Sequence, residues 1–106
     1  MKNIEMSTVL TLRDQVDYRP GQVVSKTLEQ NDAVSLTLFS FDKGEEISTH
    51  ASGGDALVTC LDGVGRITID GKPYEIKAGE SIVMPAGHPH AVYAAERYKI
   101  LLTVIF

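Results

Sequence analysis

The chain has 106 residues, 43% of them hydrophobic, and a formal net charge of −4, which is enough for one domain with its own core and not for two. Lys and Arg are scattered and like charges never run beyond a couple of residues, which excludes a phosphate-tracking surface and a nucleic-acid partner. No apolar run approaches the roughly 20 residues of a membrane span, residues 1–12 lack the apolar core of a signal peptide, and a single cysteine, Cys60, allows no internal disulfide; these features point to the cytoplasm.

Residues 1–20 are the least regular part and read as an N-terminal extension, with residues 11–16 making one helical turn that sets Leu12 and Val16 on one face. Pro20-Gly21 reads as a turn, and residues 21–106 then form a β domain. Residues 22–30 make a short strand, closed by an Asn31-Asp32 turn. Residues 33–41 alternate, with Val34, Leu36 and Leu38 on one face and Ser35, Thr37 and Phe39 on the other. Strands follow at residues 46–52 and 55–61, the second closed by Asp62-Gly63. Residues 65–69 and 72–76 flank Asp70-Gly71, the strongest short hairpin signal in the chain. Pro73 cannot donate to a ladder and belongs at a strand start or edge. Residues 81–84, 90–95 and 98–106 complete the set. Turn signals every 8–12 residues or so, with no βα alternation, indicate one all-β domain, a sandwich or a barrel.

The last strand is apolar on both faces from Ile100 to Phe106, broken only by Thr103. One face can line a barrel interior; the other needs separate cover. A second subunit would supply it, which predicts a homodimer. The alternative is residues 4–16 folding back over the same face.

Three histidines, His50, His88 and His90, lie near turns and can converge only through the fold. Imidazole is the commonest neutral metal ligand and an acid–base group near neutral pH. Residues two apart on a strand share a face, so His50, Ser52, Ala56, Val58, Cys60 and His90 are expected to line one pocket, with His88 at its rim. Cys60 in that position is a small buried hydrophobe rather than a nucleophile.

The spacing of these residues resembles that of small single-domain cupins. The first cupin motif is a glycine, five residues, a histidine, one residue, a second histidine, three or four residues, a glutamate, six residues and a glycine. Here Gly44, His50, Ser52, Ala56 and Gly63 occupy those positions. The second motif is matched by Gly79, Pro85, Gly87 and His90, with Ala94 where an asparagine is usual. The resemblance spans roughly residues 34–106 and implies a double-stranded β-helix, the jelly-roll barrel. It also implies a metal held by three histidines and a glutamate, of which only His50 and His90 are present. Asp55 stands one residue from the glutamate position, on the opposite face of a regular strand, although a bulge at Gly53-Gly54 would restore it.

Two functions are expected from this reading. One is a barrel that binds a small molecule around two histidines, with a depleted metal-ligand set. The other is a small metal-dependent enzyme of dioxygenase, isomerase or epimerase type, with Zn, Fe, Mn or Ni on His50 and His90 and a base from His88 or Asp55.

Overall fold

Period-two patterning runs almost unbroken from residue 23 to the C-terminus, and in the computed structural model, which describes residues 1–106, it becomes strand. A single 3-10 turn, Leu12–Gln15, precedes eight strands: β1 (Val23–Gln30), β2 (Val34–Phe41), β3 (Glu46–His50), β4 (Asp55–Ile69), β5 (Lys72–Lys77), β6 (Ser81–Met84), β7 (His90–Tyr93) and β8 (Tyr98–Ile105). All pairings are antiparallel, in the order β1-β2-β8-β4-β7-β3, with β5 and β6 also on β4. The sheet curls into the jelly-roll half-barrel of the expected all-β class.

One expectation needs correction. Asp62-Gly63 does not end a strand: β4 runs 15 residues straight through it. The first part of β4 pairs with β6 and β8, and the second part with β5 and β7. The change of partners falls at a bulge between Cys60 and Asp62. A bulge inserts a residue and bends the strand rather than stopping it, so β4 belongs to both walls of the half-barrel. The Asp-Gly signal marked a corner.

Alternation along β2 sends its two faces to two different cores. Phe39 and Phe41 turn inward, where Phe41 stacks on Tyr98 with ring centroids 4.6 Å apart. Ala56, Val58, Cys60, Met84, Ile100 and Val104 belong to the same inner cluster. Leu36 and Leu38 face outward, into a second cluster with Leu28, Leu101 and Leu61.

That outer cluster is closed by the N-terminal segment. Ile4, Leu12 and Val16 pack against it, and side chains of the sheet hold the segment by its carbonyls. Lys99 Nζ donates to Arg13 O at 2.6 Å, Ser40 Oγ to Asp17 O at 2.7 Å and Lys26 Nζ to Gln15 O at 3.1 Å. Tyr18 completes the strap: its hydroxyl donates to Asp62 Oδ2 at 2.6 Å, and the Arg97 guanidinium lies 4.1 Å from its ring centroid. Part of the outer face of β8 is therefore covered within one chain, and a partner is not required to bury Leu101. Leu57, Val83, Ile105 and Phe106, on or beside the same face, stay exposed.

Candidate functional site

The two histidines separated by 40 residues meet because β3 pairs with β7, with His50 and His90 as Cα partners across a register shift. Their Nε2 atoms are 3.1 Å apart and their rings are nearly perpendicular. His90 is 2% exposed, whereas His50 faces solvent. The pair closes one end of the half-barrel, beside Ile69, which is also paired with His90.

Hydrogen bonding assigns the tautomers of the neutral pair. His50 Nδ1 lies 3.0 Å from the Ser48 carbonyl, which only accepts, so His50 carries its proton on Nδ1. Its Nε2 is then a lone pair, and His90 Nε2–H donates to it. His90 Nδ1 is left as a bare nitrogen, buried and without a partner. The other neutral tautomer of His90 would set two Nε2 lone pairs against each other across 3.1 Å, so this arrangement is the favourable neutral one.

Burial pushes the His90 imidazole below its ordinary pKa, the neighbouring His50 adds to that, and the His88 backbone offsets part of it. Unfolded His90 titrates near the usual value of about 6.5, so the unfolded chain takes up a proton first as pH falls. The contribution of this histidine to stability is therefore intact above about pH 6.5 and is lost as pH drops through the window below it. The urea midpoint of the wild type should fall between about pH 7.5 and about pH 5.5, and His90→Gln should show a smaller fall. An equal fall in both proteins would mean that His90 is not the responsible group.

The other expected site residues are placed as follows. Ala56, Val58 and Cys60 share one face of β4 and are 0–1% exposed. They lie in the packed inner cluster, with Ala56 beside Met84, the residue from which the histidine-bearing loop departs. Burial pushes the Cys60 thiol up, away from the reactive thiolate. Ser52 directs its hydroxyl to Gly54 O at 2.6 Å. His88 is exposed and donates from Nδ1 to Asp70 Oδ2 at 2.6 Å. Asp55 accepts the Ala86 N–H at 2.9 Å. Neither Asp55 nor His88 joins the histidine pair: no three His, Cys, Asp or Glu side chains cluster as a metal would require.

Asp70 is the residue the sequence did not single out. It was legible only as a hairpin signal, and it occupies that turn at φ 51 with Gly71 at φ 80, the pair of positive angles that a type I′ turn needs. The fold adds a second role, since its N–H donates to Pro89 O at 3.0 Å while its carboxylate holds His88. With Gly87 N–H on Ser52 O at 3.0 Å, the loop between β6 and β7 is fixed at several points before His90 enters its strand. A surface depression of about 350 Å³, lined by Gln30, Asn31, Asp32 and Phe106, does not include the histidines. Its open form and lack of convergent side chains make it a poor candidate beside the His50–His90 end.

Comparison with known proteins agrees with this architecture. The family model described as Cupin domain matches residues 37–106. A conserved protein of unknown function from Streptococcus pyogenes is 48% identical, covering 97% of this chain and 90% of that one, with a TM-score of 0.95. A cupin superfamily protein from Desulfitobacterium hafniense is 32% identical over 99% of this chain and 96% of that one, with a TM-score of 0.94. A Cupin 2 conserved barrel domain protein from Leptotrichia buccalis is 45% identical over 92% of this chain and 47% of that one, with a TM-score of 0.90. A search of curated proteins finds no match.

Proposed function

The chain belongs to the cupin family, and on that premise we propose that it is a small-molecule-binding barrel whose ligand engages the His50–His90 end. The observation that carries this reading is the pair itself, with Nε2 atoms 3.1 Å apart and one imidazole buried behind an exposed one. A ligand reaching the pair from solvent meets the exposed His50 ring, which Ser48 and His90 already hold in place.

The donor set does not fit a tightly held metal. Stable zinc and iron sites usually take at least three protein ligands. Ala56 has no donor atom, and the Ser52 hydroxyl is committed to the Gly54 carbonyl. A ligating histidine also usually donates its second nitrogen to a fixed acceptor. His50 does so, and His90 Nδ1 makes no such bond. The competing reading, a small metal-dependent enzyme, draws support from the 3.1 Å separation, which also suits two imidazoles flanking one ion at about 2.1 Å each.

Metal analysis and thermal shifts separate the two. Tag-free protein purified without chelator should hold well under one equivalent of Zn, Fe, Mn or Ni. Small polar organic acids and sugars, screened by thermal shift, should include a binder. At about 100 times its Kd, that binder would add about 2.7 kcal/mol, a rise on the order of 10 °C for a domain of this size, and His50→Ala should lose the rise. One metal per chain, lost in His50→Ala, would instead establish the metalloprotein.

No helix is long and apolar enough to cross a membrane, and a buried free cysteine suits a reducing compartment such as the cytoplasm. The exposed apolar side chains on the outer face support the homodimer, which light scattering should show at twice the 11.5 kDa of the chain.

A further inference from the structure

Between its two anchors, the N-terminal segment makes an excursion in which the Thr8 hydroxyl donates to Met6 O at 3.2 Å across Ser7. Ile4 and Leu12 are packed in the outer cluster, and the first residues are tied to the edge of β1, with Lys2 N–H on Leu28 O at 2.8 Å and Asn3 Nδ2 on Thr27 O at 2.8 Å. Residues 5–10 lie between these anchors and make no backbone–backbone hydrogen bond. Met6 is 67% exposed and Val9 is fully exposed. Ser7 sits at φ 55, a left-handed conformation costing a residue with a side chain on the order of 1 kcal/mol. A solvated loop gains nothing by spending strain to hold Val and Met outward.

The same molecule has an apolar area without cover. Across the outer face, Leu36, Thr103, Leu57 and Val83 form one row of neighbours on β2, β8, β4 and β6. The N-terminal segment covers the Leu36 end of that row. Leu57 and Val83 at the other end are exposed, as are Ile105 in the adjacent row and Phe106 after it. Covered and uncovered halves thus adjoin on one face, with the excursion belonging to the covering segment.

We propose that residues 5–10 form an arm that seats Met6 and Val9 on the Leu57–Val83–Ile105 surface of a second copy of this chain. This rests on the homodimer reading and specifies its contacts. Two outer faces related by a two-fold axis place each arm over the uncovered half of the other, a self-complementary arrangement. The area is of the right order. Stable interfaces bury about 800 Å² per partner, and six large apolar side chains per copy, at on the order of 100 Å² each, supply most of that. The open backbone of the arm can also bond to the partner's main chain, as added strands do.

The test uses the full chain and reads mass by light scattering at micromolar concentration. Met6→Asp with Val9→Asp alters side chains that are 67% and fully exposed in their own chain, so far-UV circular dichroism and urea midpoint at concentrations below the dimer's dissociation range should stay unchanged. The dimer's Kd should rise at least tenfold. Leu57→Asp with Val83→Asp should weaken the dimer comparably. Mixing the two variants should restore a heterodimer, because one arm and one face are then intact and meet in one of the two seats. A monomeric wild type overturns both the dimer and the arm. A wild-type dimer that tolerates the arm variant, or variants that fail to complement each other, overturns the arm and leaves the dimer standing.

Discussion

Gly63→Ala should lower the urea midpoint steeply, a loss on the order of 4 kcal/mol or more from a domain whose whole stability is about 5–15 kcal/mol. Two costs combine. Gly63 has φ +75, where a side chain is disfavoured in any surroundings. An added Cβ would also fall on the Arg97 carbonyl and crowd Tyr98 Cα, backbone atoms that cannot rotate away. Relief would require β4 and β8 to part at the bulge where β4 changes walls, and the two strands share the register from Asp55↔Ile105 to Gly63↔Tyr98. Gly71→Ala is the control. Its φ is +80, but nothing lies within 4 Å of the added atom, so only the conformational cost remains, about 1 kcal/mol. Urea midpoints of the two variants decide it: if Gly63→Ala proves as mild as Gly71→Ala, close approach of the strands is not what this glycine serves.

The same position shows how far the sequence could be read. Alternation, hairpin signals and the two motifs gave the fold class and family, because those features depend on local periodicity and fixed spacing. The Asp62-Gly63 pair has the composition of a turn, and a strand corner demands the same backbone freedom, so composition alone could not distinguish them. The apolar C-terminal strand predicted cover on both faces, and the N-terminal segment supplies part of it, at Leu101, while Ile105 and Phe106 stay exposed. That Lys99 and Ser40 would grip the carbonyls of Arg13 and Asp17 could not be seen, because those contacts join residues up to 86 apart. The histidine pair was legible as a matched spacing, whereas its hydrogen-bond polarity depends on a carbonyl, Ser48 O, that no side-chain pattern reveals. Asp70 was hidden for the opposite reason: its turn role accounts for the residue by itself, and its bond to His88 joins residues 18 apart.

Ser52→His with Ala56→Glu should convert the chain into one whose stability depends on metal. Ala56 is 1% exposed, paired with Met84 and Val104 in the inner cluster. A glutamate there adds volume to a filled core, costing about 1–3 kcal/mol, and buries a carboxylate that lacks a partner, costing several more unless it stays protonated. In chelator the double variant should therefore unfold at a clearly lower urea concentration than the wild type. With zinc, the two new side chains and the His50–His90 pair would together supply three or four donors, and binding only to the folded state stabilises it by about 2.7 kcal/mol at 100 times Kd. The midpoint should thus climb with zinc concentration in the double variant and stay flat in the wild type. Adding His50→Ala to the double variant should flatten it again, since the exposed imidazole is one of the donors. A double variant that folds but ignores zinc would mean that the backbone at position 52, fixed by the Gly87 N–H on its carbonyl, no longer aims a side chain at the pair. The missing ligands would then be a consequence of changed geometry rather than of two substitutions alone.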